Sequence, residues 1–255
     1  MKQRRTNNSA RMILFCVALL ALLPGCDLIP GFGSARVLFI GNSYTTTAGI
    51  PNVFAELAKS GGHKVEIGLG ADKGGSFAAY AHSTMVRETM QSAKWNYVVL
   101  QEQSQIPANP HLRTSQMYPA ARQLVQQIRS IGATPVFFQT SGNRNGWPEN
   151  HLPDYESMQL EIIQGYSEIA RELEVTLAPV GQAWLAAMKN IPQLNPWVDD
   201  RHPNEQGAYL AACVFYAALF HESPEGAEYT ANLPKDLAKE LQKLAADTVL
   251  RNLEK

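Results

Sequence analysis

The chain is 255 residues long, with 22 Lys and Arg against 23 Asp and Glu and a formal net charge of −1. That balance excludes a nucleic-acid binder working by phosphate neutralisation, and equally an acidic solvating tail. Hydrophobic residues make up 45% of the chain, enough for a substantial core, and no charge run or low-complexity block interrupts them.

The charge is unevenly spread. Lys2, Arg4, Arg5 and Arg11 are the charged residues before Cys26; taking these four from the 22 leaves 18 basic against 23 acidic residues, a body at −5. Residues 4–11 form a basic, polar segment, and Met12–Leu23 is an uncharged apolar run of 12 residues. As a helix such a run reaches only about 18 Å, against the roughly 30 Å of a bilayer's hydrocarbon core, so it reads as a cleavable export signal rather than a transmembrane anchor. The closing Leu23-Pro24-Gly25-Cys26 resembles a bacterial lipobox. That resemblance implies cleavage before Cys26, lipidation of its thiol and attachment to a membrane of the bacterial cell envelope. Asp27 resembles an inner-membrane retention signal of some enteric bacteria. The chain then divides into a signal peptide (1–25), a linker that begins at the lipidated Cys26 (26–34) and one domain (35–255) that includes a C-terminal helix. With Cys16 removed and Cys26 modified, Cys213 is left without a disulfide partner, an inert thiol in an apolar helical stretch.

From Ala35 onward, short apolar or β-branched runs alternate with helical patterns. Strands are expected at Arg36–Ile40, Lys64–Leu69, Tyr97–Gln101, Thr134–Gln139 and Val175–Val180. Their near-continuous hydrophobicity suits strands buried on both faces of a parallel sheet. Helices are expected at Pro51–Lys59, Phe77–Gln91, Thr114–Ile131, Asp154–Leu173 and Asn204–Phe220. The pattern specifies an α/β fold: a three-layer α/β/α sandwich on a flavodoxin-like, doubly wound, parallel five-stranded sheet. An eight-unit barrel needs more chain. In the tail, Leu233, Leu237, Leu241 and Leu244 fall at helical spacing, a face to be packed on the domain rather than a zipper.

In such folds ligands sit beyond the carboxyl ends of the strands, so the polar residues there carry the chemistry. The first strand runs into Gly41-Asn42-Ser43-Tyr44-Thr45. A Ser on a tight turn after a buried strand can present its hydroxyl to that edge, although the same residue serves equally as a helix cap. Before the last core helix stands Asp199-Asp200-Arg201-His202-Pro203-Asn204. An Asp three residues before a His can orient one imidazole nitrogen and leave the other facing a nucleophile. Asp200 competes with Asp199 but lies off that spacing.

Taken together, GNSYT and DDRHPNEQGAYLAA resemble the SGNH hydrolases, the GDSL-type esterases and lipases, over about Ala35 to His221. The resemblance implies that Ser43 is the nucleophile, His202 the general base and acid, and Asp199 the residue that orients it. It also implies an oxyanion hole formed by the Ser43 backbone N–H, the Gly74 N–H from Lys73-Gly74-Gly75-Ser76-Phe77, and a side chain after the third strand. Gly75 is an alternative to Gly74. At the third position the family's Gly-x-Asn-Asp is replaced by Gln101-Glu102-Gln103-Ser104. A Gln amide offers the same N–H donors one methylene further out, so Gln103, or alternatively Gln101, takes the place of the Asn.

The implied reaction is ester hydrolysis through an acyl-enzyme, without cofactor or metal. The loop Ser141–Pro153 carries Trp147 and His151 at the same edge, and Trp147 is either a platform for a sugar ring or a residue tucked against the surface. The expected partner is a small-molecule or glycan ester, with O-acetylated carbohydrate favoured. Two rival readings carry less. A non-catalytic envelope lipoprotein that binds glycan or protein is kept open by the missing Asn. A dinucleotide site at GLGADKGG lacks the G-x-G-x-x-G spacing and stands on the second strand. No His-x-x-x-His pair suggests a metal centre.

Overall fold

The computed structural model of the protein describes residues 34–70 and 74–251. The expected export signal, Cys16, the expected lipidation site Cys26, Asp27 and Lys73 lie outside the described residues. The elements in chain order are β1 (Ala35–Ile40), α1 (Ser43–Thr46), α2 (Ile50–Ser60), β2 (Val65–Leu69), α3 (Phe77–His82), α4 (Thr84–Gln91) and β3 (Tyr97–Leu100). They continue with α5 (Gln105–Ala108), α6 (Pro110–Leu112), α7 (Tyr118–Ser130), β4 (Thr134–Phe138), α8 (Tyr155–Leu173), β5 (Thr176–Ala178), α9 (Val180–Asn190), α10 (Glu205–Phe220) and α11 (Lys235–Leu250).

The five strands form one sheet in the order β2-β1-β3-β4-β5, and every pairing is parallel. This is the expected doubly wound α/β fold. Alternation along each strand feeds two cores. Val37 and Phe39 of β1, Val99 of β3, and Val136 and Phe138 of β4 face a layer built from α2, α9, α10 and α11. Leu38, Ile40, Val98, Leu100 and Phe137 face the opposite layer of α3, α4, α7 and α8. α10 is buried nearly all round, from Gly207 to Leu219, because it is covered by α2 on one side and α11 on the other. Cys213 lies inside it, and burial pushes its thiol well above the usual range. The tail docks through Leu233, just before α11, and Leu241 within it, with Leu237 and Leu244 partly buried on the same core.

Three expectations need correcting. The single helix expected over Phe77–Gln91 is two, broken at Ser83, which ends α3 in an extended conformation and caps α4 by accepting from the Val86 N–H. The helix expected from Thr114 begins as a π-helical turn, Arg113–Met117, and becomes α-helical at Tyr118. β5 is three residues long, and the chain from Val180 turns directly into α9, which the sequence reading left without an element. Its N-cap is Pro179, which lacks the capping side chain that would announce a helix start.

The order places the switch point of the sheet between β1 and β3, each of whose carboxyl ends opens onto the same edge. Among the described residues no helix is long and apolar enough to cross a membrane.

Candidate active site

The chain leaves β1 in a tight turn that only Gly41 permits. A Cβ there would stand 2.4 Å from Thr45 Oγ1 and 2.7 Å from Gln101 Oε1. Asn42 then caps α1: its side chain accepts from the Tyr44 N–H at 3.0 Å, and its carbonyl accepts from Thr45. Ser43, at the first helical position, keeps a backbone N–H that the helix itself does not use.

Ser43 Oγ lies 2.9 Å from His202 Nε2, and His202 Nδ1 lies 2.8 Å from Asp199 Oδ2. The carboxylate on Nδ1 fixes the ring tautomer, with the proton on Nδ1 and Nε2 free to accept from the serine hydroxyl. Asp199 Oδ1 also accepts from the backbone N–H groups of Arg201 and His202, each at 2.7 Å. Burial pulls the Asp199 carboxyl upward, but the His202 and Arg201 backbone N–H groups and the imidazole outweigh it and hold the carboxyl at about 2. Asp200, the competing candidate, faces away from the imidazole. Its Oδ1 accepts from Asn145 Nδ2 at 2.7 Å and from the Asn145 N–H at 3.2 Å, and its carbonyl accepts from the Arg144 N–H at 2.8 Å. It ties the loop after β4 to the loop that carries His202.

The glycine pair divides its labour. Gly74 has φ +72, which favours glycine, and open space beyond its missing side chain. A Cβ on Gly75 would meet the Tyr80 ring at 2.3 Å, and the Gly75 carbonyl accepts from Asn42 Nδ2 at 3.0 Å. Gly75 is thus packed inward while Gly74 borders the open side.

The two glutamines also differ. Gln101 is 1% exposed, and its Oε1 accepts from the Asn42 N–H at 2.8 Å and the Thr45 hydroxyl at 2.9 Å; its Nε2 donates to the Glu102 carbonyl at 2.6 Å. It is committed to the turn beneath Ser43. Gln103 is half-buried and clasped by Gln105: Oε1 accepts from the Gln105 N–H at 2.8 Å and Nε2 donates to Gln105 Oε1 at 3.0 Å. That clasp uses one of the two protons on Nε2 and leaves the other.

Three further residues escaped the sequence reading. Asn42 joins the serine turn to the glycine loop. Tyr44 is buried, with its hydroxyl accepting from the Ser141 N–H at 3.2 Å and burial pushing it up to about 12. Glu102 is wholly buried beside Gln103. Only Asn42 carried a signal, since Asn is a preferred N-cap. Trp147 packs against the core formed with α7 and α8, and its backbone bridges to Leu152. Among the described residues no group of three His, Cys, Asp or Glu is placed to hold a metal ion.

No family model and no curated protein matches the sequence. Solved structures do match. A DUF4886 family protein from Bacteroides uniformis superposes with a TM-score of 0.76 at 19% identity, over 86% of this chain and 96% of that one. A candidate SGNH hydrolase from Slackia heliotrinireducens matches with a TM-score of 0.63 at 24% identity, over 73% and 100%. The doubly wound α/β fold matches that of these neighbours. An acetyl-xylooligosaccharide esterase from Geobacillus stearothermophilus is a further neighbour, with a TM-score of 0.58 at 16% identity, over 75% and 97%. At these identities the likeness speaks for the architecture and leaves the chemistry to the residues.

Proposed function

We propose that the protein is a serine esterase in which Ser43 attacks an ester carbonyl, His202 relays the proton and Asp199 orients and charges the imidazole. The observation that carries this reading is the unbroken hydrogen-bond chain from Asp199 through His202 to Ser43 Oγ. As Ser43 Oγ bonds to the carbonyl carbon, its proton passes to His202 Nε2 and the carbonyl oxygen becomes an oxyanion. The N–H groups of Ser43 and Gly74 and the free Nε2 proton of Gln103 receive that charge. His202 then protonates the departing alkoxide, leaving an acyl-Ser43. Water, deprotonated by His202, attacks the acyl carbon; as the acyl–Oγ bond breaks, His202 returns that proton to Ser43 Oγ and the acid departs. Asp199, held well below the working range, stays ionised throughout and stabilises the imidazolium.

The favoured substrate is an O-acetyl ester on carbohydrate, supported by the neighbouring acetyl-xylooligosaccharide esterase. The lipobox-like ending at Cys26 supports attachment to the bacterial envelope. Trp147 is not needed as a stacking platform, since its ring is engaged with the core.

The test uses a fluorophosphonate probe together with an ester panel, acetylated sugars against longer acyl chains. The expected result is labelling and hydrolysis by the native protein, both lost in Ser43→Ala, with acetyl esters preferred. Absence of labelling, or labelling that persists in Ser43→Ala, turns the reading toward a binding protein on the same scaffold.

A further inference from the structure

Glu102 is 0% exposed, and the steps above give it no task. Removing a carboxylate from water is costly unless hydrogen bonds replace its hydration. Among the described residues no cation forms an ion pair with it; instead the Phe77 N–H lies 3.1 Å from each carboxyl oxygen and the Gln103 N–H lies 2.7 Å from Oε1. The Glu102 N–H donates to the buried Tyr166 hydroxyl of α8 at 3.0 Å, so the residue is anchored from behind.

The two N–H groups it grips belong to different loops. Phe77 opens α3 directly after the Gly74-Gly75-Ser76 turn, and Gln103 carries the proposed third donor. The strands feeding these loops, β2 and β3, are not neighbours: β1 lies between them. At about 4.8 Å per strand the loops leave the sheet roughly 10 Å apart, too far for backbone pairing. Two other contacts complete a triangle. Asn42 Nδ2 bonds the Gly75 carbonyl, joining the serine turn to the glycine loop. Gln101 bonds Asn42 and Thr45, joining the serine turn to the end of β3. The third side, glycine loop to Gln103, is closed by Glu102.

On the esterase reading, on which this rests, we infer that Glu102 is a positioning residue that fixes the separation of the Gly74 and Gln103 oxyanion donors. It touches no reacting atom and acts through the two loops. Burial pushes its carboxyl up to about 8, against the pull of the Gln103 and Phe77 N–H groups. The titratable group facing it is Tyr166, kept neutral by burial. The ionised carboxylate is the stronger acceptor, so the brace tightens as pH rises through that region.

The experiment compares the native protein, Glu102→Gln and Ser43→Ala on a short-chain p-nitrophenyl ester across pH, with amide hydrogen exchange of the peptides covering 74–77 and 103–105. Glu102→Gln keeps the shape but sets an NH2 group against the Phe77 N–H. The expected kcat loss is about 10²-fold, the scale of one oxyanion donor, with KM changed by less than about threefold. The native kcat should show a rise centred near pH 8 that the variant lacks, and exchange should quicken in both peptides. Native kcat in the variant, or a lowered kcat with an unchanged pH profile and unchanged exchange, overturns the inference. If the native protein shows no Ser43-dependent hydrolysis, the esterase reading fails separately. Exchange then decides for Glu102: faster in both loops supports the brace, and unchanged exchange sinks it. Glu102→Asp, which retains the charge but reaches one loop at a time, guards against misfolding of the Gln variant; it too should lose kcat while keeping the rise with pH, and native kcat there counts against the brace.

Discussion

The two sides of the candidate site are held in opposite ways. Asp199 and His202 stand near solvent, their side chains 54% and 28% exposed, and the carboxylate finds its partners within three residues along one loop. Gln101 and Glu102, on the other side, are 1% and 0% exposed and, besides one adjacent contact each, find their partners between 25 and 64 positions away, at Phe77, Thr45, Asn42 and Tyr166. The proposed acid–base pair, Asp199 and His202, is therefore placed by a short local loop, and the ground beside it is fixed by long-range buried polar contacts. Changes on the first side should cost rate and leave stability alone. Changes on the second should cost stability as well.

The sharpest way to break that contrast is to remove the proposed reacting groups themselves. Ser43→Ala and His202→Ala should each lower kcat by about 10⁵- to 10⁶-fold, and the double variant should be no worse than either single, because groups that act as a unit are not additive. Thermal midpoints should stay within a couple of degrees of the native protein, since neither side chain is buried; multiplicative losses in the double variant would show that the two act independently. Asp199→Ala should cost less, about 10²- to 10³-fold, because water can replace part of what a half-exposed carboxylate gives the imidazole. Asp200→Ala provides the control on the same loop: kcat for a small ester is retained, while KM for a saccharide ester rises as the segment around Asn145 loosens.

The same contrast explains what could be read in the sequence. Strand runs such as Val37–Ile40 and Val98–Leu100 declare a doubly buried parallel sheet, and the Asp-x-x-His spacing declares a local pair, because both signals are contained in a few consecutive residues. The spacing singles out Asp199 over Asp200, and it is Asp199 Oδ2 that lies 2.8 Å from His202 Nδ1. Gln101-Glu102-Gln103-Ser104 reads as four polar residues after a strand, with nothing to say that the first two are sealed and the third is partly open. That depends on α3 and α8, which pack over them from distant parts of the chain. The break at Ser83 and the start of α9 were missed for a related reason: a serine within a helical pattern, or a strand running straight into a helix behind a Pro, leaves periodicity undisturbed.

On the buried side, Gln101→Leu should leave the Asn42 N–H and the Thr45 hydroxyl without an acceptor. The expected cost is about 1–3 kcal/mol, which for a domain of this size is roughly 2–4 °C of thermal midpoint per kcal/mol. Urea and thermal unfolding measure it directly. A variant as stable as the native protein but catalytically weakened would place Gln101 with the first side rather than the second.

The last contrast separates the two sides by the sign of a pH dependence. Glu102 has its carboxyl raised from 4.5 to about 8 in the folded protein. Between those values the folded state holds the proton that the unfolded state has released, so the free energy of unfolding falls as pH rises through that window. Asp199 is shifted the other way, from 3.8 to about 2, so its contribution is present above the unfolded value and is lost as pH falls through the folded one. Its exposure keeps that contribution small. Thermal midpoints measured from about pH 3 to 9 should therefore decline for the native protein between roughly pH 5 and 8, and Glu102→Gln should flatten that decline. Asp199→Asn should leave it intact and alter only the acid limb. Equal flattening by both substitutions would mean that the two carboxyls sense one shared environment, and the division of the site into a local exposed side and a buried braced side would fail.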